Sequence, residues 1–135
     1  MTNKVKDWMS SPVIVVDRDS SVAYALTLMR RRNIRSLLVA IDTEQSLYGI
    51  LTTTDIRDKI IAHEKNPANI SVREIMSENL VTANPEWTLK HCSIEMQKNN
   101  IHHMPVIDEQ SCLVGLISAT DLFFAAEEIG WEEED

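Results

Sequence analysis

The sequence predicts an α+β fold built from two tandem β-α-β-β-α repeats packed about a pseudo-twofold axis. Three observations carry that expectation. The segment VKDWMS beginning at Val5 returns as VREIMS beginning at Val72, an offset of 67, and self-similarity at a fixed period marks a repeated structural unit. The same offset sets Met29 on Met96, Asn33 on Asn100, Ile34 on Ile101 and Val39 on Val106. After one loop residue is lost the offset becomes 66, and GILTTTD from Gly49 falls on GLISATD from Gly115. Between these marks, both halves show the same order of β-branched runs and helical apolar faces.

The elements follow in order. VIVV at 13–16 reads as a short strand, bounded by Pro12 and the polar stretch Asp17 to Ser21. Ser21 is a candidate N-cap for a helix whose apolar face is Val22, Ala25, Leu26 and Met29, at i, i+3, i+4 and i+7. The second half repeats this with Thr88 as cap and Leu89, Cys92 and Met96 on the face, which makes Cys92 a small buried hydrophobe. SLLVAID (36–42) and LYGILTT (47–53) read as two strands with a short connection, matched by HMPVID (103–108) and CLVGLIS (112–118). A second helix begins near Thr54 and again near Thr120.

At 135 residues the chain has the length of one compact domain. A repeat of about 60 residues buries too little apolar surface to be comfortable alone, so the halves are expected to pack together and leave crevices for a ligand. The division is residues 1–66, residues 67–126 and an acidic tail over 127–135, with Asn66, Pro67, Ala68 and Asn69 as the linker. The 13 Lys and Arg residues face 21 Asp and Glu, a net charge of -8, which argues against a nucleic-acid platform. The charge is unevenly spread, with ten basic and eight acidic residues in 1–67 against three and thirteen in 68–135, six of those acids in the tail. A small anionic ligand in a locally basic crevice stays compatible with it. Only three glycines leave no room for a glycine-rich phosphate loop. No apolar run approaches the roughly 18 residues of a membrane span, and MTNKVKDWM lacks a signal peptide's apolar stretch, so a cytoplasmic protein is expected. Cys92 and Cys112 fit reduced thiols.

The entry segments VKDWMS and VREIMS, the segment NNIHHMPVID at 99–108 and the ends GILTTTDI and GLISATDL together resemble a CBS-domain pair, or Bateman module. The resemblance covers roughly Lys4 to Ala126. It implies a regulatory module, not an enzyme, that senses an adenosine-containing nucleotide (AMP, ADP or ATP) and passes occupancy to a partner or an assembly state. It also implies a homodimer formed through helix faces and an effector protein that the sequence does not identify. A ligand-free structural or dimerisation module is the alternative, as is a pair binding S-adenosylmethionine or a dinucleotide.

Each site residue has a plain structural reading beside the functional one. Thr52 with Asp55, and Ser118 with Asp121, have the spacing of a capping box at a helix start. The resemblance implies that the two Asp carboxylates accept from ribose hydroxyls while Thr52 and Ser118 help fix ribose or phosphate. Arg35 and His102 are equivalent by the offset, with His103 beside the latter. The resemblance implies phosphate contacts there, against a solvated strand entry as the plain reading. It also implies that Val39 with Ala40, and Pro105 with Val106, line base pockets through backbone groups. Leu38 stands where the second repeat has Pro105, and Val15 where it has Thr82, whose hydroxyl would add to the pocket, so unequal sites are expected. Arg30, Arg31 and Arg32 close the first helix, where cations offset its dipole. His91, Cys92, His102, His103 and Cys112 lack zinc-type spacing, and no nucleophile motif is present. The tail, with Trp131 among its acids, is a solvated terminus or a short docking segment.

Overall fold

The computed structural model describes residues 3–11, 13–78 and 80–130. The tail residues 131–135 lie outside this range, as does Pro12. The α+β class holds: α1 (Val5–Trp8), β1 (Val15–Asp17), α2 (Val22–Arg32), β2 (Ser36–Asp42), β3 (Leu47–Thr52) and α3 (Thr53–Ile56) come first. A π turn, Arg57–Ile61, extends α3, and short 3-10 turns follow at Pro67–Asn69 and Val72–Glu74. Then come α4 (Leu89–Asn99), β4 (His103–Ile107), β5 (Leu113–Ser118) and α5 (Ala119–Ile129).

Local chemistry sets these boundaries. Ser21 and Thr88 cap α2 and α4, their hydroxyl oxygens accepting from the backbone N–H of Tyr24 and His91 at 3.1 Å. Each cap satisfies a donor the helix leaves open. Both helices end at an Asn in the left-handed region, Asn33 and Asn100, each at φ 53°. Asn tolerates that conformation better than other non-glycine residues, so a chain with three glycines still stops its helices sharply.

The chain forms two compact units, residues 14–80 (the leading unit) and residues 1–13 with 81–135 (the trailing unit). These divide the chain differently from its repeats, because each unit takes its entry segment from the other repeat. In the leading unit, β2 lies between β1, parallel to it, and β3, antiparallel. Its core joins Val22, Ala25 and Met29 of α2 to Leu37, Val39 and Leu51 of the sheet, with Val72 and Met76 from the entry segment. In the trailing unit β4 and β5 pair antiparallel, and Cys92, Met96, Met104, Val106 and Ile117 enclose Val5. The expected first strand of the second repeat is reduced to a single parallel bridge, Ala83 to Val106. Asn84 and Pro85 follow immediately, and proline has no N–H with which to extend a ladder.

The backbone repeats bond for bond. Val72 N–H donates to the Ser20 carbonyl and Val5 N–H to that of Trp87; Arg73 N–H reaches Arg18, and Lys6 N–H reaches Pro85. Arg73 pairs with Asp19 as Lys6 pairs with Glu86. Every one of these pairs is related by 67. The Met-Ser end of each entry segment then joins the sheet edge, Ser77 bonding Ile50 and Ser10 bonding Leu116 in both directions. Glycine permits this close approach. A Cβ on Gly49 would stand 2.9 Å from Met76 Sδ and 3.0 Å from the Ser77 carbonyl oxygen; one on Gly115 would stand 2.5 Å from Met9 Sδ and 3.0 Å from the Ser10 oxygen. The repeated Met and the repeated Gly are thus two halves of one contact.

Candidate functional site

Each unit gathers part of the expected site where its middle strand begins and its last strand hands over to a helix. In the leading unit Arg35 is exposed, and its carbonyl accepts from Thr53 N–H at 3.1 Å, holding it beside the α3 start. Ser36 lies opposite Thr52. In the trailing unit His102 is exposed and its backbone carbonyl accepts from Ala119 N–H at 2.9 Å, and the half-buried His103 lies opposite Ser118. Arg35, Thr52 and Asp55 therefore form one cluster, and His102, His103, Ser118 and Asp121 form another.

The capping boxes exist as geometry. Thr52 N–H and Oγ1 lie 3.0 and 3.1 Å from Asp55 Oδ2, and Asp55 N–H donates back to Oγ1 at 3.3 Å. Ser118 and Asp121 repeat this at 2.8, 3.0 and 3.2 Å. Each hydroxyl has one proton, and it is given to the carboxylate. In this arrangement Thr52 and Ser118 can accept from a ligand hydroxyl but cannot donate to a phosphate.

The two carboxylates differ in their second oxygen. Asp55 Oδ1 lies 3.2 Å from Lys59 Nζ, which also donates to the Ile75 carbonyl at 2.8 Å. Asp55 is 9% exposed and fully engaged. The residue matching Lys59 is Ala125, which is buried and offers no cation. Asp121 Oδ1 makes no hydrogen bond to a described residue and is half-buried, not sealed. The trailing unit therefore offers an acceptor that the leading unit has already spent. Lys59 is the residue that sequence reasoning missed; its i, i+4 spacing from Asp55 was the available signal.

The pocket-lining residues are arranged otherwise than their names suggest. Val39 and Val106 are fully buried core side chains, and Pro105 is buried too. The Pro105 carbonyl accepts from Ala83 N–H at 2.8 Å, so that group is held in the sheet. Val39 and Val106 face Gly49 and Gly115, while Leu38 and Pro105 face Ile50 and Leu116. Leu38 is thus the counterpart of Pro105, and the pair Val39–Ala40 is one position out of step with Pro105–Val106. Ala40 is half-buried. Thr82 is exposed beside Ala83, and Val15 is 40% exposed at the matching place.

Other reactive groups are placed by the same packing. Cys92 is buried, and its thiol is pushed up to about 11, first by burial and then by the charge of Asp121, which makes it a poor nucleophile near neutrality. Cys112 is exposed. His91 stacks on Trp87 with ring centroids 4.1 Å apart. Among the described residues no group of three or more His, Cys, Asp or Glu is placed to hold a metal ion. No described helix is long and apolar enough to cross a membrane.

Two units with entry segments, capped helices and the same carboxylate at each strand-to-helix junction define a tandem ligand-binding module. The chain belongs to the CBS domain family, whose sequence model matches residues 5–62 and again 72–128. CBS pairs are regulatory ligand-binding modules, not catalytic ones. The chain is 31% identical over 118 residues, 87% of its length, to L-aspartate semialdehyde sulfurtransferase of Methanocaldococcus jannaschii, of which it spans only 22%. It superposes with a TM-score of 0.80 and 30% identity on the CBS domain pair of protein MJ0100 in complex with 5′-methylthioadenosine and S-adenosyl-L-methionine, covering 96% of this chain and 99% of that one. It also superposes on a hexameric CBS-CP12 protein from bloom-forming cyanobacteria, with a TM-score of 0.89 and 30% identity, covering 99% and 78% of the two chains.

Proposed function

We propose that this chain senses an adenine nucleotide (AMP, ADP or ATP) in the cytoplasm, that the cluster of His102, His103, Ser118 and Asp121 is its principal site, and that occupancy is passed to a partner or an assembly state. The observation that carries this is the Oδ1 of Asp121, which takes no hydrogen bond from a described residue. A carboxylate fixed by one oxygen in a capping box presents the other rigidly, the geometry a ribose diol requires. The two histidines at the same strand entry supply ring N–H donors for a phosphate. Arg35 supplies a fixed charge in the leading unit, where Asp55 is already committed to Lys59, so that cluster binds more weakly. The exposed Thr82, and the half-buried Ala40 in the leading unit, would line the base, while Val39, Pro105 and Val106 are sealed in the core and shape the strands that carry it. The complex of MJ0100 favours a second reading, in which the ligand is S-adenosylmethionine or methylthioadenosine. Exposed Ile94, Phe123 and Phe124 on α4 and α5, the two phenylalanines 71% and 61% accessible, support self-association through helix faces.

Isothermal titration with AMP, ADP, ATP and S-adenosylmethionine tests this on wild type and Asp121→Asn. Asn can keep the capping acceptor while turning an amide donor toward the ribose. Affinity for the preferred nucleotide should fall about tenfold to a hundredfold, the range for a hydrogen bond to a charged group, with the melting temperature nearly unchanged. Binding unaffected by Asp121→Asn sinks the ribose contact. Preference for S-adenosylmethionine selects the second reading, and no heat with any ligand selects a purely structural module.

A further inference from the structure

Four arginines cluster where α2 ends: Arg30, Arg31 and Arg32 in its last turn and Arg35 just past the Asn33 cap. All four are exposed, and none has an acidic or hydrogen-bonding side-chain partner among the described residues. Among the other cations of the same unit, Arg57 pairs with Asp58, Lys59 with Asp55 and Arg73 with Asp19, while Arg18 and Lys65 stand singly and apart in sequence. One cation in the last turn is enough to offset a helix dipole. The matching turn of α4 shows that the fold needs no more: it ends Gln97, Lys98, Asn99 before the same left-handed Asn, with one cation. Successive side chains on a helix stand about 100° apart, so the three guanidiniums cover a broad strip and do not converge on one point. Such a strip fits an extended polyanion better than a small ligand, and guanidinium forks match carboxylates two oxygens at a time.

The chain carries a polyanion of that description. Residues 127–135 hold Glu127, Glu128, Glu132, Glu133, Glu134 and Asp135. Glu127 and Glu128, at the end of α5, are exposed and unpaired among the described residues. Charge divides between the units in the same sense. Residues 14–80 carry nine basic and nine acidic residues, whereas 1–13 with 81–135 carry four and twelve, the entire net charge of -8. We propose that the arginine strip of one copy receives the acidic segment 127–135 of a second copy, an ionic contact separate from the apolar helix faces and independent of nucleotide.

Sedimentation velocity of the full chain across a concentration series, at about 50 mM and about 500 mM salt, tests this, because exposed charge contacts are screened over that range. Two triple variants are compared with wild type: Arg30→Gln, Arg31→Gln, Arg32→Gln, and Glu132→Gln, Glu133→Gln, Glu134→Gln. Gln is as good a helix former as Arg, so circular dichroism should be unchanged. Each triple variant should weaken self-association at low salt by about tenfold, the sum expected of a few exposed pairs, and should leave the high-salt behaviour unchanged. Combining them should weaken it no further. Unchanged association in both variants, additive losses, or an effect of charge on shape independent of concentration would each overturn the proposal.

Discussion

The leading and trailing units share a skeleton and differ in what they place on it. Their entry segments, caps and sheet-edge bonds correspond at an offset of 67 or 66, down to Arg73–Asp19 matching Lys6–Glu86. The differences fall at the strand-to-helix junctions and on the second helices. Lys59 closes the Asp55 carboxylate where Ala125 leaves Asp121 open; a π turn interrupts one second helix while the other runs eleven residues. The exposed Phe123 and Phe124 replace the Arg57–Asp58 ion pair. The frame of such a pair is set by contacts the repeats cannot give up, and function can diverge at positions the frame does not use.

The frame should break hardest at its glycines. Gly115→Val and Gly49→Val force a branched side chain onto Met and onto a backbone carbonyl, and overpacking of this kind costs about 1–3 kcal/mol. Gly115→Val should be the worse, since its Cβ stands nearer the sulfur. Thermal denaturation that ranks them the other way would mean the Met9 side chain yields more readily than Met76. Truncating the fully buried Val5 or Val72 to Ala removes two methyls, about 1.5–2 kcal/mol. The two losses should agree closely if the entry segments do equivalent work.

Removing Lys59 should make the leading unit resemble the trailing one. Lys59→Met frees Asp55 Oδ1, and because the lysine is itself 45% exposed the pair contributes no more than about 1 kcal/mol. Titration should then show nucleotide binding strengthened at the leading unit, and an unchanged isotherm would detach Lys59 from ligand selectivity. A smaller contrast separates Cys92 from its counterpart Ala25, both fully buried. With its folded value raised to about 11, the thiol contributes stability that is complete below its ordinary value of 9.0 and is lost as pH rises through 11. Wild type should therefore lose stability between pH 9 and 11 in excess of Cys92→Ala, and a thiol reagent at neutral pH should modify Cys112 far faster.

Local chemistry was legible in the sequence and distant chemistry was not. The caps Ser21 and Thr88, the apolar faces they start and the strands around Val39 and Val106 follow from spacing within one element, and the structure repeats them. The capping box, too, was readable from Thr52 and Asp55 alone. That Met9 seats against Gly115 was not, because no periodicity connects residues so far apart; both appeared only as separate marks of a repeat. The first strand of the second repeat was overread, since its apolar run gave no weight to Asn84 and Pro85. Arg35, Thr52 and Asp55 lie together, as do His102, His103, Ser118 and Asp121, but which carboxylate stays open depends on a lysine one helical turn away whose reach only coordinates show.

The exchange of entry segments also sets an order of events during synthesis. Residues 14–80 emerge as one unbroken stretch, so the leading unit has all its parts once its own entry segment leaves the ribosome. The trailing unit does not. Residues 3–13 are made first, yet their partners Trp87, Leu116 and Gly115 come last. At about 5–20 residues per second they wait several seconds with Val5 and Met9 uncovered. A delay of 82 to 106 residues separates Val5 and Met9 from the partners that cover them, and Val5 ends fully buried.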